Sequence, residues 1–377
     1  MKIEQSRWTT KESWVPDFGP RSLVSAKLVL AFGARNHLAG RYSELRAAYP
    51  CARILGCSTA GEILGTAVTD GQVVATAIDF KSATVRSAHA PVQRVEESRA
   101  VGETLARELF GVDLIHVFVL SDGLAVNGSE LARGLYEAMP AGVGITGGLA
   151  ADGPDFKTTL TLLDAEAEPG SVCAIGIYGS GIRIGYGSVG GWDPFGVEWR
   201  ITRSRGNVLF ELDDKPALDL YKTYLGDHAA GLPVTGLFFP LSLRSPQLSR
   251  PVVRTILAVN EDEGSLTFAG DMPEGTYVRF MKANFERLIE GACHAARDSV
   301  HVMGGSEPEL AILVSCVGRK LVLKQRIEEE VEAVREIIGP NAVIAGYYSY
   351  GELAPFMPLA PCELHNQTMT ITVLSEE

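Results

Sequence analysis

The sequence is poor in cysteine, and its cysteines are scattered. Cys51, Cys57, Cys173, Cys293, Cys316 and Cys362 form no CxxC pair and no zinc-finger spacing with histidine. That argues against a zinc ribbon, and the lack of CxxCH rules out covalent c-type haem attachment. Reduced thiols of this kind read as small buried hydrophobes. Long apolar runs are missing too. The run 114–120 is among the longest and falls far short of a membrane span. No apolar segment follows the first charges, so no membrane insertion and no signal peptide are expected, and the expected location is cytoplasmic. Nor is there a basic run. Lys and Arg total 34 against 46 Asp and Glu, a formal net charge of -12. A surface of that sign repels phosphate backbones, so nucleic acid is not an expected partner. P-loop, HExxH and EF-hand patterns are absent, and Gly179–Gly185 lacks the strand–turn–helix setting of a dinucleotide fingerprint.

What is present is a foldable composition, 46% hydrophobic and 21% charged over 377 residues. The length suggests two domains or one large duplicated unit. Residues 1–24, with Trp8, Trp14, Phe18, Pro16 and Pro20, read as an irregular arm packed on the body. After it, apolar strand patterns alternate with helical spacing. Strands are expected over 27–32, 52–57 and 114–120, and a strand pair over 73–80 and 84–89. Helices are expected over 38–48, 95–109 and, capped by Ser129, 130–139. A glycine-dense, strand-rich stretch follows to about residue 203. A helix beginning with Pro216 leads into further strands. Helices over 284–300 and 326–337 precede the last strands, 342–347 and 368–374. The fold class is therefore mixed α/β, built from duplicated strand–helix–strand units with mixed sheets.

An internal repeat is the most informative feature. Pro50 is followed six residues later by Gly56 and then Cys57-Ser58-Thr59-Ala60-Gly61-Glu62-Ile63. Pro340 is followed six residues later by Gly346 and then Tyr347-Tyr348-Ser349-Tyr350-Gly351-Glu352-Leu353. Both read P-x5-G-x-x-[ST]-x-G-E-[IL]. A degenerate middle copy runs from Pro140 through Gly144–Gly148 to Asp152, twelve residues on, the same offset as Glu62 and Glu352. A strand ending this way lets a ligand approach the backbone closely. Glu62 and Glu352 can hold an ammonium group, and Thr59 and Ser349 with backbone N–H groups can hold a carboxylate. The same residues also suit a duplicated tight turn in which each Glu caps backbone N–H groups. Gly56–Ala60 partly resembles a G-x-S-x-G elbow, which would make Cys57 or Ser58 a nucleophile. The elbow needs a helix directly after it, and none is expected here.

At these residues the chain resembles the FIST family of bacterial sensory modules. Gly56–Ile63, Gly147–Asp152, Gly190–Gly196, Pro216–Tyr221, Gly264–Gly270, Gly346–Leu353 and His365–Thr368 carry the resemblance, which spans residue 25 to the end. It implies an N-terminal FIST unit over 25–215 and a C-terminal one over 216–377. It also implies sensing of a small molecule such as an amino acid, without enzymatic activity. With no output domain recognised, the signal would pass to a separate partner such as a histidine kinase or a cyclic-di-GMP enzyme. A subgroup binds haem and senses nitric oxide. On that reading His228 is the first candidate for the metal ligand and His294 the second. The expected ligand-binding residues are Gly56, Cys57, Ser58, Thr59, Gly61, Glu62, Tyr348, Ser349, Gly351 and Glu352, with Trp192 as an apolar wall.

Overall fold

Strand 28–33, Leu-Val-Leu-Ala-Phe-Gly, is apolar at every position, and all six residues are buried. A strand without a polar face must be covered on both sides. In the computed structural model, which describes residues 1–18, 23–245 and 250–377, three such strands lie at the centres of three six-stranded sheets: 28–33, 114–121 and 310–316. Their inward side chains, Leu30 and Phe32, Phe118 and Leu120, Ile312 and Val314, share one central core. The outward ones pack under helices. Val29 and Ala31 meet Leu38 and Leu45, Val119 meets Leu105 and Leu131, and Ala311 and Leu313 belong to the cluster that includes Val331.

Each sheet is built by the same four-strand unit. The central strand pairs in parallel with the next one in sequence, 53–58, 144–149 or 343–349. On its other side runs an antiparallel strand, 73–79, 171–178 or 369–376. An antiparallel outer strand follows: 2–9, 84–91 or 182–189. The chain therefore holds three units. Strands 73–79 and 84–91, expected to pair with each other, stand in different sheets. The arm expected to be irregular contributes strands 2–9 and 13–15; residues 19–22 within it, Pro20 included, lie outside the described residues. Helix 128–138 is capped by Asn127, whose side chain accepts the N–H groups of Ser129 and Glu130, so Ser129 is not its cap.

No sheet is completed by its own unit. The first unit sends strand 62–64 to pair with 343–349, with 67–69 pairing beyond it at the edge. The second sends 161–163 to pair with 53–58, and the third sends 351–355 to pair with 144–149, with 362–365 pairing beyond it at the edge. A seven-strand path of antiparallel sheet, with strand 215–216 beside it, is inserted between the first strand of the third unit and the rest of that unit. Its strands run from 193–205 to 277–282. Its own core holds Trp199, Tyr221, Phe268 and Phe280.

The exchange makes a prediction about fragments. A chain cut at residue 215 keeps strands 62–64 and 144–149 but loses the third-unit strand that each pairs with, 343–349 and 351–355. Expressed alone, 1–215 should show no cooperative thermal transition, and co-expression with 216–377 should restore a soluble complex. A well-dispersed NMR spectrum from 1–215 alone would contradict the exchange.

Candidate functional site

The three parallel strand pairs end together, and their turns interlock. Ala60 N–H donates to the Tyr348 carbonyl at 2.8 Å, Ala151 N–H to the Ser58 carbonyl at 2.9 Å and Tyr350 N–H to the Leu149 carbonyl at 3.4 Å. Gly56, Gly147 and Gly346 occupy one equivalent place. A Cβ there would strike the carbonyl of Ala31, Val119 or Leu313 on the neighbouring strand. The middle copy is thus real but lies one residue out of the register read from Pro140. Asp152 falls opposite Gly61 and Gly351, not opposite the two glutamates.

Both repeat glutamates are committed within the chain. Glu62 accepts the Thr59 hydroxyl at 2.7 Å and the Gln72 N–H at 3.1 Å. Glu352 accepts the Ser349 hydroxyl at one oxygen and the N–H and hydroxyl of Thr368, at 3.2 and 2.8 Å, at the other. Asp152 does similar work, with one oxygen taking the N–H groups of Lys157 and Thr158. Of the two uses open to these residues, the geometry matches capping of the following backbone. Ser58 accepts the Leu160 N–H, and Tyr348 donates to Glu330. Cys57 is fully buried, and burial pushes its thiol pKa up. A strand, 62–64, follows the turn rather than the helix of a nucleophile elbow. Trp192 is buried and donates to the Gln367 carbonyl at 3.2 Å.

The two repeat turns differ in access. Thr59, Gly61 and Glu62 line an open cleft of about 260 Å³, shared with Asp70 and Asp152. In the third unit Ser349 and Glu352 are fully buried. There Gln367, at φ 63°, holds the place that Gly71 holds in the first unit at φ 75°. Its buried side chain lies against Gly318 and donates to the Leu237 carbonyl of the insertion. The first and last copies therefore do not line one common pocket.

The histidines expected to ligate haem or a metal do not fit that role. His228 is exposed on a short 3-10 turn, its ring 5.6 Å from Phe239. His294 is 51% exposed on helix 285–302, facing Glu290. An axial ligand must point into an apolar slot, and neither does. The buried histidines are engaged elsewhere. His116 meets the Thr146 hydroxyl at 2.8 Å beside a void of about 10 Å³, and His365 meets the Ala354 carbonyl at 2.8 Å. Among the described residues no cluster of His, Cys, Asp and Glu is arranged to hold a metal ion.

A larger cavity lies at the seam between the second unit and the insertion, about 480 Å³ in volume. Helix 128–138 supplies Ser129, Arg133, Tyr136 and Glu137. The insertion supplies Leu243, Arg254, Asp271 and Glu274, and segment 361–364 closes it. Arg254 is 5% exposed. Its guanidinium donates to the carbonyls of Asp271 at 3.2 Å and Leu364 at 2.9 Å, and to the Ser129 hydroxyl at 3.3 Å. Among the described residues no carboxylate stands within ion-pair distance of it. Burial pulls its pKa down to about 10, with Asp271 and Glu363 opposing from further off. A buried cation held only by neutral partners is costly. This residue was missed in the sequence. Its signal is an arginine at an inward position, at the end of strand 252–254 beside the buried Val252 and just before the buried Ile256 that opens the next strand.

Comparison with known proteins places the chain. The FIST N domain model matches residues 27–215 and the FIST C domain model residues 217–355. The chain therefore belongs to the FIST family, whose domains are associated with small-molecule sensing in signal transduction. An uncharacterized protein of Methanocaldococcus jannaschii is 24% identical over 359 residues, covering 84% of this chain and 67% of that one. Two cyanuric acid hydrolase structures, one from A. caulinodans, each span 100% of this chain and 99% of their own. They superpose with TM-scores of 0.41 and 0.33 at 8% and 11% identity. Likeness that loose says nothing of what this chain does. No helix among the described residues is long and apolar enough to cross a membrane.

The buried glutamates make stability depend on pH. Burial raises the pKa of Glu352 from 4.5 to about 8 and that of Glu62 to about 7. Both groups favour the folded state fully when protonated in both states, below about pH 4.5. Their contribution is lost as pH rises through 7 and 8. The melting temperature should therefore fall between pH 6 and 9, and Glu352→Gln should flatten that fall by more than about 1 kcal/mol. An unchanged slope in the variant would show that Glu352 is already ionised at pH 6.

Proposed function

We propose that this FIST protein is a non-catalytic sensor. It seats a small zwitterionic carboxylate, of the amino-acid class, in the seam cavity and signals to a separate protein such as a histidine kinase. Arg254 carries the reading. A ligand carboxylate would supply the opposite charge that this buried guanidinium lacks, with the Ser129 hydroxyl beside it. Asp271, Glu274 and Glu363 offer acceptors for an ammonium group on the same molecule. Apolar surface from Leu243, Pro273, Pro361 and Leu364 alternates with charged and hydroxyl side chains along the walls, and the volume lies in the range of small-ligand sites.

The position suits a sensor. Residues from both FIST halves line the seam, so a ligand there would favour one arrangement of helix 128–138 against the insertion. A ligand shifts such an equilibrium only by its difference in affinity for the two states.

A thermal-shift panel of amino acids on the full chain tests the seat. A binder at a hundred times its Kd should stabilise the protein by about 2.7 kcal/mol. Arg254→Gln should weaken that binder at least about tenfold, and Ser129→Ala should weaken it less. A panel with no response, or a response unchanged in Arg254→Gln, would reject the seat. Autophosphorylation of a co-purified histidine kinase should change with the same ligand and not in Arg254→Gln.

A further inference from the structure

Helix 128–138 presents Ser129, Arg133, Tyr136 and Glu137 to the seam cavity, spacings that keep one helical face toward it. The cavity does not end at that face. Tyr136 and Glu137 also line a second cavity of about 320 Å³, which continues past the end of the helix along Met139, Pro140 and Val143. Segment 359–364 runs beside both: Leu359 and Ala360 line the second, Pro361 to Leu364 the first. Leu359 is 78% exposed, an aliphatic side chain left in water at the rim. The charged groups gather at the Arg254 end. Except for Glu137, the lining of the far end is uncharged and dominated by aliphatic, proline and tyrosine side chains.

We infer that the two cavities are one groove, and that the ligand carries a long apolar tail running from the Arg254 seat past Tyr136 to Met139 and Leu359. This rests on the carboxylate seat proposed above and narrows its ligand class to amphipathic carboxylates. The rise from Ser129 to Tyr136 along the helix is about 10 Å. A side chain as short as that of alanine spans only the head of the groove. Each further methylene that enters the groove adds about threefold to fourfold in affinity through the apolar area it removes from water.

The test is a straight-chain series of 2-amino acids, from alanine through 2-aminohexanoate and 2-aminooctanoate to 2-aminodecanoate, titrated calorimetrically into the full chain. Affinity should climb steadily to about eight carbons. Ala141→Trp and Ala360→Trp, both at the rim of the far cavity, should leave alanine binding unchanged and remove the gain from the longer members. A series that levels off at four carbons while still depending on Arg254 would overturn the tail and keep the seat. Binding that survives Arg254→Gln, or no binding by any member, would overturn both.

Discussion

Three backbone hydrogen bonds link the turns at the ends of the parallel strands, each N–H reaching back to the carbonyl of another unit: Ala60 to Tyr348, Ala151 to Ser58, Tyr350 to Leu149. Buried backbone groups must find partners, and here every partner lies in a different unit. The same units exchange strands in the same circular sense. No unit can finish its sheet or satisfy its turn until the other two are in place. The FIST N and FIST C segments are accordingly not separate folding bodies, because the third unit draws strands from both sides of the boundary between them. Glu62, Glu352 and Asp152 serve this arrangement by holding the backbone that follows each turn.

The insertion is anchored to the same centre. Arg319 and Glu330 are both fully buried, paired at 2.8 and 3.0 Å. Arg319 also holds the carbonyl of Gly190, where the insertion begins, and that of Leu288 on helix 285–302. Glu330 accepts the Tyr348 hydroxyl from the interlocked turns. Removing one member of such a pair strands a charge and costs about 3–5 kcal/mol. Arg254 is the contrasting case, at the seam between the insertion and the second unit. It too is buried, but it is held by carbonyls and a hydroxyl, beside a cavity. Of the two buried arginines, one has its counter-ion in the chain and the other faces open space. That difference is the ground on which a ligand seat is proposed at Arg254.

Much of the architecture could be read in the sequence because its signals are local. The apolar run at 114–120, the small-residue turn after it and the helical spacing that follows are short-range patterns, and the Pro–Gly–Glu repeat announced the duplication. The strand exchange was not legible. A strand such as 62–64 carries no mark of whether its partner is 53–58 or 343–349. The middle copy was seen but slipped by one residue, because Pro140 stands one residue further from Gly147 than Pro50 does from Gly56. The repeat glutamates were expected to hold an ammonium group, yet besides Thr59 and Ser349 their hydrogen bonds run to Gln72 and Thr368, partners that only the fold brings near. His228 and His294 stood out among seven histidines because apolar sequence lies close to each, while burial, which decides the matter, depends on the tertiary fold. Arg254 carried a faint signal in an apolar strand, and the helix that completes its site lies more than a hundred residues earlier in the chain.

The most direct test of the account is amide hydrogen exchange on the full chain, with and without saturating 2-aminooctanoate. Added protection is expected in segments 129–137, 252–255, 271–276 and 361–364, where the seam would close on a ligand. Protection confined to 59–62 and 70–72, the open cleft of the first unit, would contradict it. That result would return the ligand site to the repeat turns.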